Sequence, residues 1–76
     1  MKIQVLGPGC ARCTQLYDNA RKAAAELNLA CEVEKVTDMR LILAFNILST
    51  PALVIDGQVK ASGRVLSPSE IKPLLG

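Results

Sequence analysis

The sequence predicts an α/β fold with the element order β-α-β-α-β-β-α, a four-stranded mixed sheet with three helices. Short β-prone runs alternate with helix-periodic stretches, which is the pattern of strand-helix-strand units. The pair Asp56-Gly57 separates two β-prone runs and indicates a hairpin, because a type I′ turn needs positive φ at both central positions. A chain of 76 residues encloses one small core, so we expect a single domain over residues 1–76.

The first strand is predicted at Lys2 to Leu6 and ends in the loop Gly7-Pro8-Gly9, where two glycines permit unusual backbone angles. Cys10 follows at the start of an amphipathic helix that is predicted from Ala11 to about Asn28. Apolar residues recur along this helix at spacings of three and four, and they are Cys13, Leu16, Tyr17, Ala20, Ala24 and Leu27.

The second strand is predicted at Ala30 to Val36, where no helical period is present. Thr37 or Asp38 caps a second helix that is predicted to run to about Asn46. A strand, a helix and a strand of this length imply parallel pairing through a right-handed crossover.

The remaining elements follow from local turn and cap signals. Strands at Ala52 to Ile55 and Gln58 to Ala61 flank the predicted hairpin turn. Ser67-Pro68-Ser69-Glu70 combines an N-cap, a first-turn proline and a capping-box glutamate, so a short third helix is predicted at the end. The strand order in the sheet does not follow from periodicity.

Composition and charge exclude two classes of function. Nine Lys and Arg against seven Asp and Glu give a formal charge of +2, and no Trp, one Tyr and one Phe leave no platform for stacking bases. No apolar run approaches the roughly 18 residues of a membrane span, and no signal-peptide core follows Met1-Lys2. We therefore expect a cytoplasmic protein with neither a nucleic-acid nor a membrane partner.

Cys10 and Cys13 form a Cys-x-x-Cys motif at the start of the first predicted helix. Residues at this spacing share a helix face, so the two sulfurs can form a disulfide without backbone movement. Unpaired N–H groups, the helix dipole and the positive charge of Arg12 favour a thiolate at Cys10, whereas Cys13 falls on the apolar stripe. We predict that Cys10 attacks a substrate disulfide and that Cys13 resolves the mixed disulfide.

Other interpretations use the same two cysteines. A closed tetrahedral zinc site is not expected, because the chain has no His and only Cys31 as a further thiolate. A two-coordinate Cu(I) site of the copper-chaperone type remains an alternative, since soft thiolates select Cu(I). Simple packing in the core is another, although the loop before Cys10 places that residue at an exposed helix start. The last alternative is a non-catalytic interaction module that uses the second helix.

Three stretches carry a resemblance to a known family: a strand leading into Gly7-x-Gly9-Cys10-x-x-Cys13, then Glu34 to Asp38, and then Ser49 to Gly57. Nearly the whole chain resembles the small thioredoxin-like proteins of archaea and bacteria, also called glutaredoxin-like or redox-active disulfide proteins. The resemblance implies a minimal thioredoxin fold and a thiol-disulfide oxidoreductase. It also implies protein disulfide substrates, electrons from a disulfide reductase and no bound cofactor.

The resemblance also implies site residues beyond the cysteines. Pro51 corresponds to a cis proline that sits against the disulfide, and the backbone of Thr50 is expected to hydrogen-bond an extended substrate segment. This chain departs from typical thioredoxins, which carry a buried Asp as a proton relay where Gln4 stands, so no carboxylate is evident for that role. The glutathione-holding residues of glutaredoxins are replaced by Ser62-Gly63-Arg64-Val65, which argues against glutathione as partner.

Cys31 lies about twenty residues from the pair, on the predicted second strand, where it shares a face with Val33. Cys31 is expected to be a buried small hydrophobic residue. Regulatory pairing with another molecule is the alternative.

The second predicted helix is almost entirely apolar, with only Arg40 and Asn46 polar. By resemblance its buried stripe is Met39, Ile42, Leu43 and Ile47. That stripe leaves Ala44 and three larger side chains exposed, and we hypothesise that these three, Leu41, Phe45 and Leu48, form a docking or homodimer surface near the active site. Rotation of the helix to bury Phe45 is the alternative.

Overall fold

The strands and helices follow the predicted order in a computed structural model that describes residues 1–76. The strands are β1 (Ile3–Leu6), β2 (Val33–Val36), β3 (Ala52–Ile55) and β4 (Gln58–Ser62), and the helices are α1 (Ala11–Glu26), α2 (Met39–Ala44) and α3 (Pro68–Leu75). The predicted α/β fold, with a four-stranded mixed sheet and three helices, is confirmed. None of these helices has the length and apolar content needed to cross a bilayer.

The sheet has the strand order β2-β1-β3-β4. β1 and β2 are parallel, as the intervening helix requires, whereas β3 runs antiparallel to β1 and β4. Leu6, the last residue of β1, lies opposite Ala52, the first residue of β3. The loop that leaves β1 and the loop that enters β3 therefore meet at one end of the sheet, and the functional residues lie there.

Each face of the sheet has its own core. α1 and α3 cover one face, where Ile3 and Val5 of β1 join a cluster of 11 buried residues. α2 covers the opposite face, where Leu6 joins a cluster of six. All residues of β3 are buried because that strand is central and covered on both sides.

The structure contains the hairpin and the third helix that local sequence signals predict. Asp56 and Gly57 have φ of 51° and 82°, the positive values that the tight turn requires. The Ser67 hydroxyl accepts a hydrogen bond from the Glu70 N–H at 3.2 Å, and the Glu70 carboxylate accepts one from the Ser67 N–H at 3.0 Å. This reciprocal capping box starts α3.

α1 ends earlier than its periodicity predicts. The last helical residue is Glu26, and Asn28 turns the chain with φ of 54°. Leu27, predicted on the buried stripe, is therefore 39% exposed, while Ala23, absent from the predicted stripe, is fully buried. The prediction for Leu27 is wrong because the helix ends before this residue can face the sheet.

β2 and α2 are both shorter than predicted. β2 begins at Val33, so Cys31 precedes the strand, although both residues pack half-buried against the larger core. α2 has six residues, is capped by the Asp38 carboxylate and ends at Ala44.

The predicted buried stripe of α2 is half wrong. Ile42 and Ile47 are buried, but Met39 and Leu43 are 51% and 62% exposed. A helix of fewer than two turns presents little of its surface to the sheet, and Ile42 is the one residue of α2 that it buries. Phe45, predicted to be exposed, is half-buried against the smaller core because the chain turns at this point.

Candidate active site

Cys10 and Cys13, the cysteine pair, start α1 as predicted. Cys10 is the N-cap residue, with extended backbone angles and an exposed side chain. Cys13 lies in the first turn and is only 5% exposed. Both cysteines are free, their Sγ atoms are 2.6 Å apart, and the backbone N–H of Cys13 donates to Cys10 Sγ at 3.3 Å. The sulfur of Cys10 thus accepts hydrogen bonds that stabilise negative charge.

The pair is electrostatically unequal. The hydrogen bond from the Cys13 thiol, followed by that from the Cys13 backbone N–H, lowers the pKa of Cys10 below its ordinary value. Burial, followed by the hydrogen bond that holds its proton against Cys10, raises the pKa of Cys13. At neutral pH the exposed sulfur therefore carries the larger share of thiolate.

Arg12 contributes to this asymmetry through its backbone. Its N–H helps to lower the pKa of Cys10, whereas the predicted route was the positive charge of its side chain. The guanidinium donates instead to the carbonyl of Gly63 at 2.9 Å. Gly63 lies just after β4, so this side chain links α1 to the far side of the site.

Gly7 lies against the cysteine pair, although the sequence indicated it only as a loop glycine that permits unusual backbone angles and as part of the Gly7-x-Gly9-Cys10 motif. Gly7 is buried, and a Cβ built on it would overlap Cys13 Sγ and lie 3.9 Å from Pro51 Cα. Position 7 therefore requires glycine, because the backbone there lies too close to the Cys13 sulfur for any side chain. The motif Gly7-x-Gly9 was a sequence signal for this glycine, but the residue that Gly7 contacts is decided by the tertiary fold.

Thr50 and Pro51, here called the proline wall, lead into β3 at the same end of the sheet as the cysteine pair. The Thr50–Pro51 peptide is cis, and Pro51 is buried. A Cβ on Gly7 would approach both Cys13 Sγ and Pro51 Cα, so the wall and the buried sulfur both lie next to that glycine. The Pro51 carbonyl accepts from the Gly63 N–H at 2.8 Å. The N–H and carbonyl of half-buried Thr50 have no hydrogen-bond partner within the chain.

A crevice of about 20 Å³ lies behind Cys13, which is room for about one water molecule. Its polar lining is Thr14, Thr37 and Lys35, and Lys35 is the charged residue of the lining. The Lys35 ammonium also lies 4.5 Å from the centre of the Tyr17 ring.

Gln4 does not line this crevice. β1 turns Val5 toward Cys13, while Gln4 lies on the opposite face and its amide donates to Glu34 at 3.4 Å. The position expected to correspond to a relay carboxylate therefore has no contact with the buried thiol.

The predicted second-helix surface is only partly assembled. Leu41 is exposed and Leu48, two residues before Thr50, is completely exposed, but Phe45 packs inward. Cys31 is apart from the cysteine pair, in an open groove between α1 and β2. No group of three or more His, Cys, Asp or Glu side chains is arranged to hold a metal ion.

Known proteins are similar to this sequence along most or all of its length. A family model described as "Thioredoxin domain" matches residues 1–76. A thioredoxin of Methanothermobacter thermautotrophicus is 47% identical over 75 residues, which cover 99% of this chain and 97% of the relative. A thioredoxin of Methanocaldococcus jannaschii is 37% identical over 70 residues, which cover 92% of this chain and 80% of the relative. The chain therefore belongs to the thioredoxin family and is a thiol-disulfide oxidoreductase.

Proposed function

We propose that the chain, as a single domain, exchanges disulfides reversibly with protein substrates in the cytoplasm through Cys10 and Cys13. The observation that carries the proposal is the unequal pair: an exposed sulfur with a lowered pKa, hydrogen-bonded by a buried thiol with a raised one. A redox-active Cys-x-x-Cys also suits the cytoplasm, where disulfides are usually transient and catalytic.

The proposed reaction begins when the Cys10 thiolate attacks one sulfur of a substrate disulfide. That bond breaks, a mixed disulfide with Cys10 forms, and the other substrate sulfur leaves as a thiolate. Cys13 then loses its proton and attacks Cys10 Sγ, which releases the second substrate thiolate. The substrate gains two electrons, the cysteine pair is oxidised to a disulfide, and a reductase dithiol reverses that oxidation.

The proton of Cys13 needs a route of its own. Once Cys10 is in a mixed disulfide, it no longer offers a thiolate to accept that proton. The crevice behind Cys13 supports a path through one water molecule held by the hydroxyls of Thr14 and Thr37. Lys35 also lines this crevice, and its positive charge favours the thiolate that remains.

Substrate contact is proposed at the proline wall. The unpaired N–H and carbonyl of Thr50 suit hydrogen bonds to an extended substrate segment, as in strand addition. Pro51 bounds the space next to the sulfurs. Leu41 and Leu48 extend this contact as an apolar surface for residues flanking the substrate disulfide, with Phe45 supporting it from beneath. Homodimerisation through the same leucines is the competing use of that surface.

A redox titration combined with insulin reduction tests the proposed function on the wild type, Cys10→Ser and Cys13→Ser. We expect a two-electron couple in the wild type alone, no activity in Cys10→Ser, and a trapped mixed disulfide in Cys13→Ser. An active Cys10→Ser variant would contradict the proposal. A wild type that holds Cu(I) but reduces no disulfide would instead support the metal-binding alternative.

A further inference from the structure

Gly63 connects the two sides of the active site. Its N–H donates to the Pro51 carbonyl at 2.8 Å, and its own carbonyl accepts from the Arg12 guanidinium at 2.9 Å. Arg12 lies between the two cysteines at the start of α1. One residue is therefore bonded both to the helix that carries Cys10 and to the proline wall.

Gly63 also fits closely against the loop that leads into the wall. It has φ of +72°, in the left-handed region that favours glycine. A Cβ at this position would lie 3.0 Å from Ser49 Cβ and 3.1 Å from Ser49 Oγ. Gly63 therefore lies close against Ser49, the residue that precedes Thr50.

α1 reaches the segment after β4 through two side chains. Arg12 holds Gly63, and the Asn19 amide donates to the Leu66 carbonyl at 2.9 Å. Asn19 is about two helical turns further along α1, away from the sulfurs. The Arg12 bond is therefore the one that acts on the spacing at the site.

We propose that Arg12 is a positioning residue that sets, through Gly63, the distance between Cys10 Sγ and the proline wall. This inference rests on the proposed function and deepens it, because it names what controls affinity for extended protein segments. A protein disulfide must place its sulfur at Cys10 while its backbone pairs with Thr50, so it needs both sides of the site at the right spacing. A small disulfide needs only Cys10.

Arg12→Met tests this role, since it removes the guanidinium and keeps an unbranched side chain. We expect the KM for insulin to rise about two- to tenfold, the range for one lost hydrogen bond, with a smaller change in kcat. The rate with the small disulfide dithiobis(nitrobenzoic acid) should stay within about twofold. The pKa of Cys10, followed by thiolate absorbance, should not move.

Arg64→Met is the matched control. Arg64 is an exposed arginine on the same segment, but it pairs with Glu70 at 3.3 Å, so its loss removes the same charge without touching the wall. We expect its KM for insulin to match the wild type. A raised pKa of Cys10 in Arg12→Met, with equal loss on both disulfides, would show that Arg12 acts by charge and would overturn the inference. An unchanged KM would also overturn it. A wild type that reduces neither disulfide would refute the proposed function itself.

Discussion

The two faces of the sheet are covered to very different extents. On one face, the closed face, α1 and α3 bury the larger cluster, and Cys13 is also buried on α1. On the other face, the open face, α2 is short, and Leu41, Leu43 and the following Leu48 are exposed. In the proposed reaction the closed face holds the resolving sulfur, Cys13, which is buried. The open face presents exposed leucines, which we propose as the apolar surface that a substrate contacts. The proposed function therefore assigns the chemistry to the buried face and substrate recognition to the exposed one.

The largest expected effect comes from a large-to-small substitution in the core of the closed face. Leu16 is fully buried, so Leu16→Ala should lower the free energy of unfolding by about 2–5 kcal/mol. The matched change on the open face, Leu41→Ala, should change the free energy of unfolding by no more than about 0.5 kcal/mol. It should instead raise the KM for insulin. Urea unfolding of both variants measures the contrast. Similar losses of stability would mean that the two faces do not differ as described.

A smaller effect is expected where the closed face meets the site. Gly7→Ala inserts a methyl group against Cys13 Sγ, which should lower the free energy of unfolding by about 1–3 kcal/mol. The same contact should shift the reduction potential of the cysteine pair. Gly9→Ala is the control, because a Cβ there meets no atom within 4 Å, and its cost is backbone strain at φ of +97°. If both variants keep the wild-type potential, Gly7 has no role at the sulfur.

The smallest effect concerns the proton of Cys13. Lys35→Met removes the charge at the crevice, and because Lys35 is exposed we expect only about a threefold slower release of the mixed disulfide at neutral pH. The defect should fade at higher pH, since the raised pKa of Cys13 is then exceeded. Lys35→Arg should restore the rate. Stopped-flow kinetics against pH would reveal a pH-independent defect, which would contradict a role in deprotonation.

Local signals in the sequence predicted much of the fold and the chemistry. The spacing of Cys10 and Cys13, the Asp56-Gly57 turn and the capping box from Ser67 to Glu70 each act within a few residues. The corresponding structure therefore follows from propensity, hydrogen bonding and helix geometry alone.

The remaining features depend on contacts between distant parts of the chain. The exposure of Leu27, Met39 and Leu43 is set by where helices end and which side meets the sheet, and periodicity leaves both open. The bond of Arg12 to Gly63 joins α1 to the loop after β4, so no local pattern contains it. The contact of Gly7 with Cys13 spans few residues, but it depends on how the loop after β1 packs against α1.

The unequal roles of the two sulfurs can be tested directly by the pH dependence of alkylation. Reduced protein is treated with iodoacetamide over a range of pH, and each cysteine is followed by peptide mass spectrometry. The structure predicts that Cys10 reacts first, with a midpoint below the ordinary pKa of a cysteine thiol, and that Cys13 stays protected until higher pH. Equal reactivity, or earlier modification of Cys13, would contradict the assignment of nucleophile and resolver.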